Sequence, residues 1–332
     1  MLKDGPVIHY CSVKPIEKSN GAYLMGAFLV LALKQTAQQA WENFQNLPLL
    51  FLHYRDAAPG FSSYKCSILH CLQVLCKAVQ YGWVKYEEFD IGRYKNRYSP
   101  ENGDITWIVP NKLAVFGCPS NEPRDNEGQR NFTPESYAAI FQQIGIKTVV
   151  RVDGYPYDND RFIRNGIRFI DLSFRGPLPP MNIISRFLDV VESSEFSVAV
   201  HCKAGLGKSP TLAGMYVMKK FDISAEEYIA WARICRPASI IGQQQEFLKQ
   251  LEVKCKMLKK KEFTNTLNYS RDSSFFRISR KNSSRNTNLE LRASMKIFPK
   301  AVKVASLGRD KVGQRSHQNL SVTGGSRTQR IM

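Results

Sequence analysis

Residues Ser197–Phe221 read SVAVHCKAGLGKSPTLAGMYVMKKF. An apolar run ends on His201-Cys202, a loop of small residues carrying Gly205 and Gly207 follows, and Lys208-Ser209 leads into an amphipathic helix. Two glycines let successive backbone amides turn toward one point as an anion nest. A helix starting near Pro210 aims its positive end at the same point. A thiol of ordinary pKa ~8.5 is mostly protonated at neutral pH, but a helix N-terminus and nearby cations lower it by several units. Cys202 in that setting suits attack on a phosphoryl group. His201 and Ser209 are placed to tune it, Ser209 by donating its hydroxyl once phosphate has transferred.

Two other readings compete. The nucleotide loop GxxxxGK[ST] matches CKAGLGKS at Gly207, Lys208 and Ser209, but Cys202 stands where the first glycine has a steric task, and no later strand ends in a clear magnesium-binding Asp. A core cysteine in an ordinary turn leaves His-Cys, two glycines and Lys-Ser as coincidence.

Working outward, Thr133 caps and Pro134 opens a helix in PESYAAIFQQIG, which Gly145 closes. IKTVVRV reads as a strand, DNDRFIRNG as a short helix, IRFIDLSF as a strand, and MNIISRFLDVVESS as a helix leading into SVAVHC. Strands separated by helices argue for a mainly parallel sheet flanked by helices. Ligands sit at the carboxyl ends of such strands, where Cys202 falls. Ser224 and Glu227 form a capping box for AEEYIAWARICR, which Pro237 ends, and a last helix starts at Gly242. Upstream, DITWIVP and KLAVFG read as strands around a turn, with the polar loop CPSNEPRDNEGQRN behind them.

The first hundred residues read as a strand PVIHYC and helices in GAYLMGAFLVLAL, TAQQAWENFQNL and SYKCSILHCLQVLCKAVQYG. Cys66, Cys71 and Cys76 follow the last helix's apolar period and read as core thiols. VIHYCSVKPIEKSNGAYLMGAFLVL echoes the Cys202 unit, with His and Cys, then Lys-Ser, then an apolar helix. Its loop has Pro15 and no glycine, so only the later copy is built for anions.

Of the +18 net charge on 332 residues, residues 251–332 carry +14, as 19 Lys+Arg against 5 Asp+Glu. Such a tail suits an acidic protein, nucleic acid or anionic lipid, or an import address, and composition does not choose. From about 263 the chain lacks a sustained period and reads as largely disordered. The eight cysteines show no CxxC or paired metal-ligand spacing, so neither a disulfide framework nor a metal is expected, and a reducing compartment fits. The longest apolar run, Ala22 to Leu33, has 12 residues, short of the ~20 that span a bilayer. With no secretory signal visible, the expectation is an intracellular protein of the nucleus, the cytoplasm or both.

VAVHCKAGLG followed by IAWARICRPASIIGQQQEFL resembles the cell division cycle 14 family of dual-specificity protein phosphatases, whose loop reads His-Cys-Lys-Ala-Gly-Leu-Gly-Arg-Thr-Gly. ENGDITWIVPNKLAVFG, FTPESY and DNDRFIRNGIRFIDL extend the likeness over about residues 7 to 255. It implies an α/β fold of two tandem phosphatase-like domains. The first, 1–110, would be non-catalytic and incomplete at its start; 111–262 would carry the Cys202 loop, and 263–332 would be the basic tail. It also implies a cysteinyl-phosphate intermediate with no metal or cofactor, and phosphorylated proteins of the cell cycle as partners. By resemblance Cys202 is the nucleophile, the amides of Lys203, Ala204, Gly205, Leu206 and Gly207 bind phosphate, and Gln244 and Gln245 position the hydrolytic water.

Four positions depart from the pattern. The phosphate-clamping arginine is Lys208, the general-acid Asp is Arg175, and Thr-Gly is Ser209-Pro210. A guanidinium grips two oxygens with a planar fork, whereas an ammonium is one hydrated point charge. Loss of a general acid costs about 10²–10⁴ in rate, and arginine does not donate a proton at neutral pH. Arg175 instead adds a cation for phosphate capture. The resemblance with these departures implies a phosphatase of weak or lost activity, or a pseudophosphatase that binds phosphoproteins without hydrolysing them. Asp171 is the nearest replacement carboxylate in sequence.

Overall fold

The computed structural model describes residues 8–47, 51–60, 62, 64–92, 102–154 and 156–253. The basic tail, with the disorder expected of it, lies outside the described residues. Three helices come first, α1 (Pro15–Leu31), α2 (Ala37–Gln45) and α3 (Ile68–Gln80). Strand β1 (Thr106–Val109) turns through Asn111, at φ 57°, into antiparallel β2 (Leu113–Phe116). Then come α4 (Pro134–Ile144), β3 (Ile146–Arg151), α5 (Asp160–Arg164), β4 (Arg168–Asp171), α6 (Met181–Ser193), β5 (Ser197–His201), α7 (Lys208–Lys220) and α8 (Ala225–Cys235). A last helix runs from 243 to the end of the described residues at 253.

The sheet order is β1-β2-β5-β3-β4, and every pairing except β1 with β2 is parallel. β5 is therefore central, and all five of its residues are buried. Strand pleating splits the core in two. Val198 and Val200 of β5, with Leu113 and Val115 of β2, face α6, α7 and α8. Ala199, Ala114 and Phe116 face α4 and α5 on the other side. Local chemistry sets the helix ends as the sequence indicates. Thr133 accepts the Ser136 amide at the start of α4, and Gly145 ends that helix at φ 77°. Ser224 and Glu227 complete both halves of the capping box of α8.

The N-terminal strand is not observed. Residues 8–11 form no strand, with Ile8 and Tyr10 at 81% and 88% exposure, while residues 6 and 7 lie outside the described residues. An alternating pattern makes a strand only where a neighbour supplies ladder hydrogen bonds, and among the described residues the sheet draws all its strands from 106–201. The helix that follows begins earlier than its apolar run, because Pro15 sits at its first position with φ already set. α3 packs on α8. Cys71, Leu72, Val74, Leu75 and Ala78 share one apolar cluster with Tyr228, Ile229 and Trp231, and Cys66 belongs to the same cluster. Lys77 reinforces the contact, its Nζ 2.8 Å from Glu227 Oε2 and 2.6 Å from the Asp222 carbonyl.

α7 and α8 approach closely because Gly214 has no side chain. A Cβ there would lie 2.4 Å from Tyr228 Cε1, and the Tyr228 hydroxyl is itself anchored to the Pro210 carbonyl. Overpacking costs about 1–3 kcal/mol against roughly 1 kcal/mol of helix propensity gained by alanine. Gly214→Ala should therefore lower the unfolding free energy in urea by up to about 2 kcal/mol. An unchanged midpoint would show that this ring moves freely.

Candidate active site

β5 delivers His201 and Cys202 to the carboxyl edge of the sheet, and the loop 203–207 connects them to α7. Four successive loop carbonyls are occupied from outside. Lys203 O accepts the Cys118 amide at 3.0 Å, and Leu206 O accepts the Ile240 amide at 2.9 Å. Ala204 O and Gly205 O accept Arg236 Nη2 and Nε at 3.0 and 2.9 Å. No peptide bond among the described residues is cis. In a trans peptide the next residue's N–H points opposite the carbonyl. Fixing these carbonyls outward therefore turns the amides of Ala204, Gly205, Leu206 and Gly207 to the opposite side, where α7 also presents its N-terminus.

Gly205 is required twice over. Its φ is +66°, and a Cβ would lie 2.7 Å from the Phe116 carbonyl oxygen. Arg236 locks the loop from behind. Nη1 also reaches Asp104 Oδ1 at 2.8 Å and Thr106 Oγ1 at 3.1 Å, Nη2 pairs with Asp104 Oδ2, and Arg236 is only 5% exposed.

Cys202 lies at the base of this loop, 5% exposed and part of the apolar core. Ser209 is fully buried, and among the described residues its Oγ has no hydrogen-bond partner. His201 points instead to the α4–α5 side, where its Nε2 lies 2.7 Å from the Tyr157 hydroxyl and its ring packs on Phe116. Burial pushes its imidazole down to about 3, against an opposing contribution from the Cys202 backbone.

A cleft of about 590 Å³ opens beside the loop, lined by Asp153, Gly154, Ser173, Phe174, Arg175, Gly176 and Lys208. Lys208 crosses it, with its Nζ 3.1 Å from Asp153 Oδ1, 2.8 Å from the Phe174 carbonyl and 4.7 Å from the Phe174 ring centre. Arg175 is on the exposed rim. Asp171 does not line this cleft. It pairs with Arg151 and its Oδ1 accepts the Ser173 amide at 2.9 Å. Burial alone would raise its carboxyl, but those hydrogen bonds outweigh burial and hold it below the usual range. The replacement acid weighed from sequence is thus committed elsewhere.

The two glutamines separate. Gln244 leans on the loop, where a Cβ at Gly207 would lie 3.0 Å from its Nε2, and it donates to the Pro177 carbonyl at 3.0 Å. Gln245 turns away and donates to Asp56 Oδ2 and, at 3.0 Å, to the Ile240 carbonyl. The sequence reading missed Arg236, Asp104, Asp153, Asp56 and Cys118. Asp153 has a local signal, a carboxylate just past the carboxyl end of β3. Arg236 has a weaker one, a cation directly before the helix-ending Pro237. Cys118 is partly buried, and burial, then the nearby charges of Asp153 and Cys202, push its thiol up to about 11.

Residues 133–257 match the family model described as dual specificity phosphatase, catalytic domain, and residues 1–78 match dual specificity protein phosphatase, N-terminal half. Strands β3, β4 and β5 and the Cys202 loop thus lie within the matched catalytic-domain residues, whereas β1 and β2 precede them. Dual specificity protein phosphatase CDC14A of Mus musculus is 40% identical over 248 residues, 74% of this chain and 41% of that protein. Tyrosine-protein phosphatase cdc-14 of Caenorhabditis elegans is 35% identical over 71% of this chain and 34% of its own length. Tyrosine-protein phosphatase CDC14 homolog of Schizosaccharomyces pombe is 31% identical over 74% and 47%. The chain belongs to the cell division cycle 14 family of dual-specificity phosphatases, and it spans less than half the length of each of these three relatives.

The His201 environment yields a pH test. Its folded value of about 3 lies below the ordinary 6.5, so its contribution to stability is present above pH ~6.5 and is lost as pH falls toward 3. Between pH ~6.5 and 5, where few carboxylates titrate, it should remove roughly 1.4 kcal/mol per pH unit. His201→Gln should flatten that segment of the urea-unfolding profile, and an identical slope in the variant would contradict the assignment.

Proposed function

We propose that the chain recognises phosphorylated proteins through the Cys202 loop and hydrolyses them through a cysteinyl-phosphate intermediate at a strongly reduced rate. In this reading the Cys202 thiolate attacks phosphorus, the P–O bond to the side chain breaks, and the loop amides 203–207 carry the transferring phosphoryl group. Ser209 Oγ, having no partner of its own, then donates to the sulfur as water held by Gln244 cleaves the P–S bond. The observation that carries the rate claim is the engagement of Lys208. Its ammonium is shared between Asp153 and the Phe174 carbonyl, where relatives of this family place a fork for phosphate oxygens. Arg175 on the rim has no proton to give an alkoxide leaving group. Phosphotyrosine, whose leaving group is the better one, should lose least.

A pseudophosphatase that binds without turnover is the second reading, favoured by the two cations, Arg175 and Lys208, in one cleft. Within this proposal 1–110 is the non-catalytic half, 111–262 the phosphatase domain and 263–332 a basic tail for an acidic partner or nucleic acid, in the nucleus or cytoplasm. Among the described residues no helix is long and apolar enough to cross a membrane.

Turnover of a phosphotyrosine peptide and a phosphoserine-proline peptide by the wild type and by Cys202→Ser separates the two readings; equal rates would eliminate the enzyme. Arg175→Asp with Lys208→Arg should raise turnover by about 10²-fold or more, and non-additively, because both residues serve one transition state. No gain from the pair would mean that the roles are misassigned.

A further inference from the structure

We propose that Asp56, from the N-terminal half, is a positioning residue for the second half of the reaction, holding the glutamine loop so that Gln244 faces the phosphoryl group. This rests on the reading of Cys202 as the group that carries phosphate.

The loop between α8 and the last helix is strained. Ala238, Ile240 and Gly242 all have left-handed backbones, at φ 66°, 63° and 54°. Such conformations in non-glycine residues cost about 1–3 kcal/mol each and persist only where the surroundings over-determine them. Here the surroundings come from two directions. On the loop side, the Ile240 amide donates to Leu206 O at 2.9 Å, and Gln244 spans the Ile241 amide and the Pro177 carbonyl at 2.9 and 3.0 Å. On the other side stands the segment 54–57. The Ala57 amide donates to Ala238 O at 3.0 Å, and Asp56 Oδ2 accepts the Gly242 amide at 2.7 Å and the Gln245 side-chain amide. Arg233 binds the segment to the loop, Nη1 donating to Tyr54 O at 2.7 Å while Nε and Nη2 take Ser239 O and Ile240 O at 3.1 and 3.3 Å.

Asp56 is only 5% exposed, and its Oδ1 is buried without a hydrogen-bond partner. A desolvated carboxylate is costly unless its hydrogen bonds offset that cost. Among the described residues its bonded oxygen accepts from the Gly242 amide and the Gln245 side chain, on either side of Gln244 in sequence. The consequence is a division of labour between the paired glutamines. Gln245 is the tie to the N-terminal half, and Gln244 is the one left against Gly207 and the amides of the loop. Asp56 touches neither substrate nor sulfur, so it governs hydrolysis of the cysteinyl-phosphate more than its formation.

The test uses the full chain carrying Arg175→Asp and Lys208→Arg, with rapid-quench measurement of phosphoenzyme formation and breakdown on a phosphotyrosine peptide. Adding Asp56→Ala should slow breakdown by about tenfold or more while formation and competition by inorganic phosphate stay within about threefold. Asp56→Asn keeps one acceptor oxygen and should recover most of the rate. Gln245→Ala, which removes the same tie from the other end, should give the same split and covers the case in which Asp56→Ala does not fold. Formation and breakdown falling together, or no change in any variant, would overturn the positioning role while leaving Cys202 in place. A parent chain that forms no phosphoenzyme would overturn the Cys202 reading, and the inference with it.

Discussion

The candidate site is built around the Arg236 guanidinium. A guanidinium carries five N–H donors and no acceptor, and here they go to Gly205 O, Ala204 O, Thr106 Oγ1 and the Asp104 carbonyl and carboxylate. Without that cation the Ala204 and Gly205 carbonyls would lose their outward partners, and only the Lys203 and Leu206 carbonyls would stay held by backbone amides. Asp104 sits just before β1 and Arg236 just after α8, so the loop is clamped between the sheet edge and the last layer of helices. A buried charge of this kind contributes little net stability when paired and is strongly destabilising when its partner is removed. Its value lies in fixing one geometry of the loop.

The N-terminal half contributes in a similar way. α3 shares its apolar cluster with α8, and the segment 54–57 buttresses the turn that carries Gln244. A turn with three left-handed residues is not stable by local preference. The polar groups of Arg233, Asp56 and Leu206 hold it, and two of these lie far from it in sequence.

Of the departures from the family pattern, Lys208 and Arg175 both line the cleft and so bear on its electrostatics. Lys208 occupies the first position of α7 as an arginine would, but a single ammonium is satisfied by one carboxylate and one carbonyl. In the proposed reading, Arg175 withholds a proton and adds positive charge at the rim, so the cleft attracts a dianion while its ability to stabilise charge movement falls. Asp153 joins this balance in that reading, as it would compete with phosphate oxygens for the Lys208 ammonium.

By itself the sequence determined the elements whose signals act over a few residues. These are the apolar strand ending at Cys202, the glycines of its loop, the Thr133 cap, the Ser224–Glu227 capping box, the helix-ending Gly145, and the alternation that makes a mainly parallel sheet. It misjudged residues 8–11, because an apolar alternation states only that a strand is affordable and a strand also needs a neighbour. Only the tertiary structure decided that Gln244 and not Gln245 faces the loop, that Asp171 is spent on Arg151, and that His201 serves Tyr157. Arg236 lies 132 residues from Asp104, and Asp56 lies 189 residues from Gln245. A polar group's partner at that separation is set by where the packed elements bring it, and no local pattern records that.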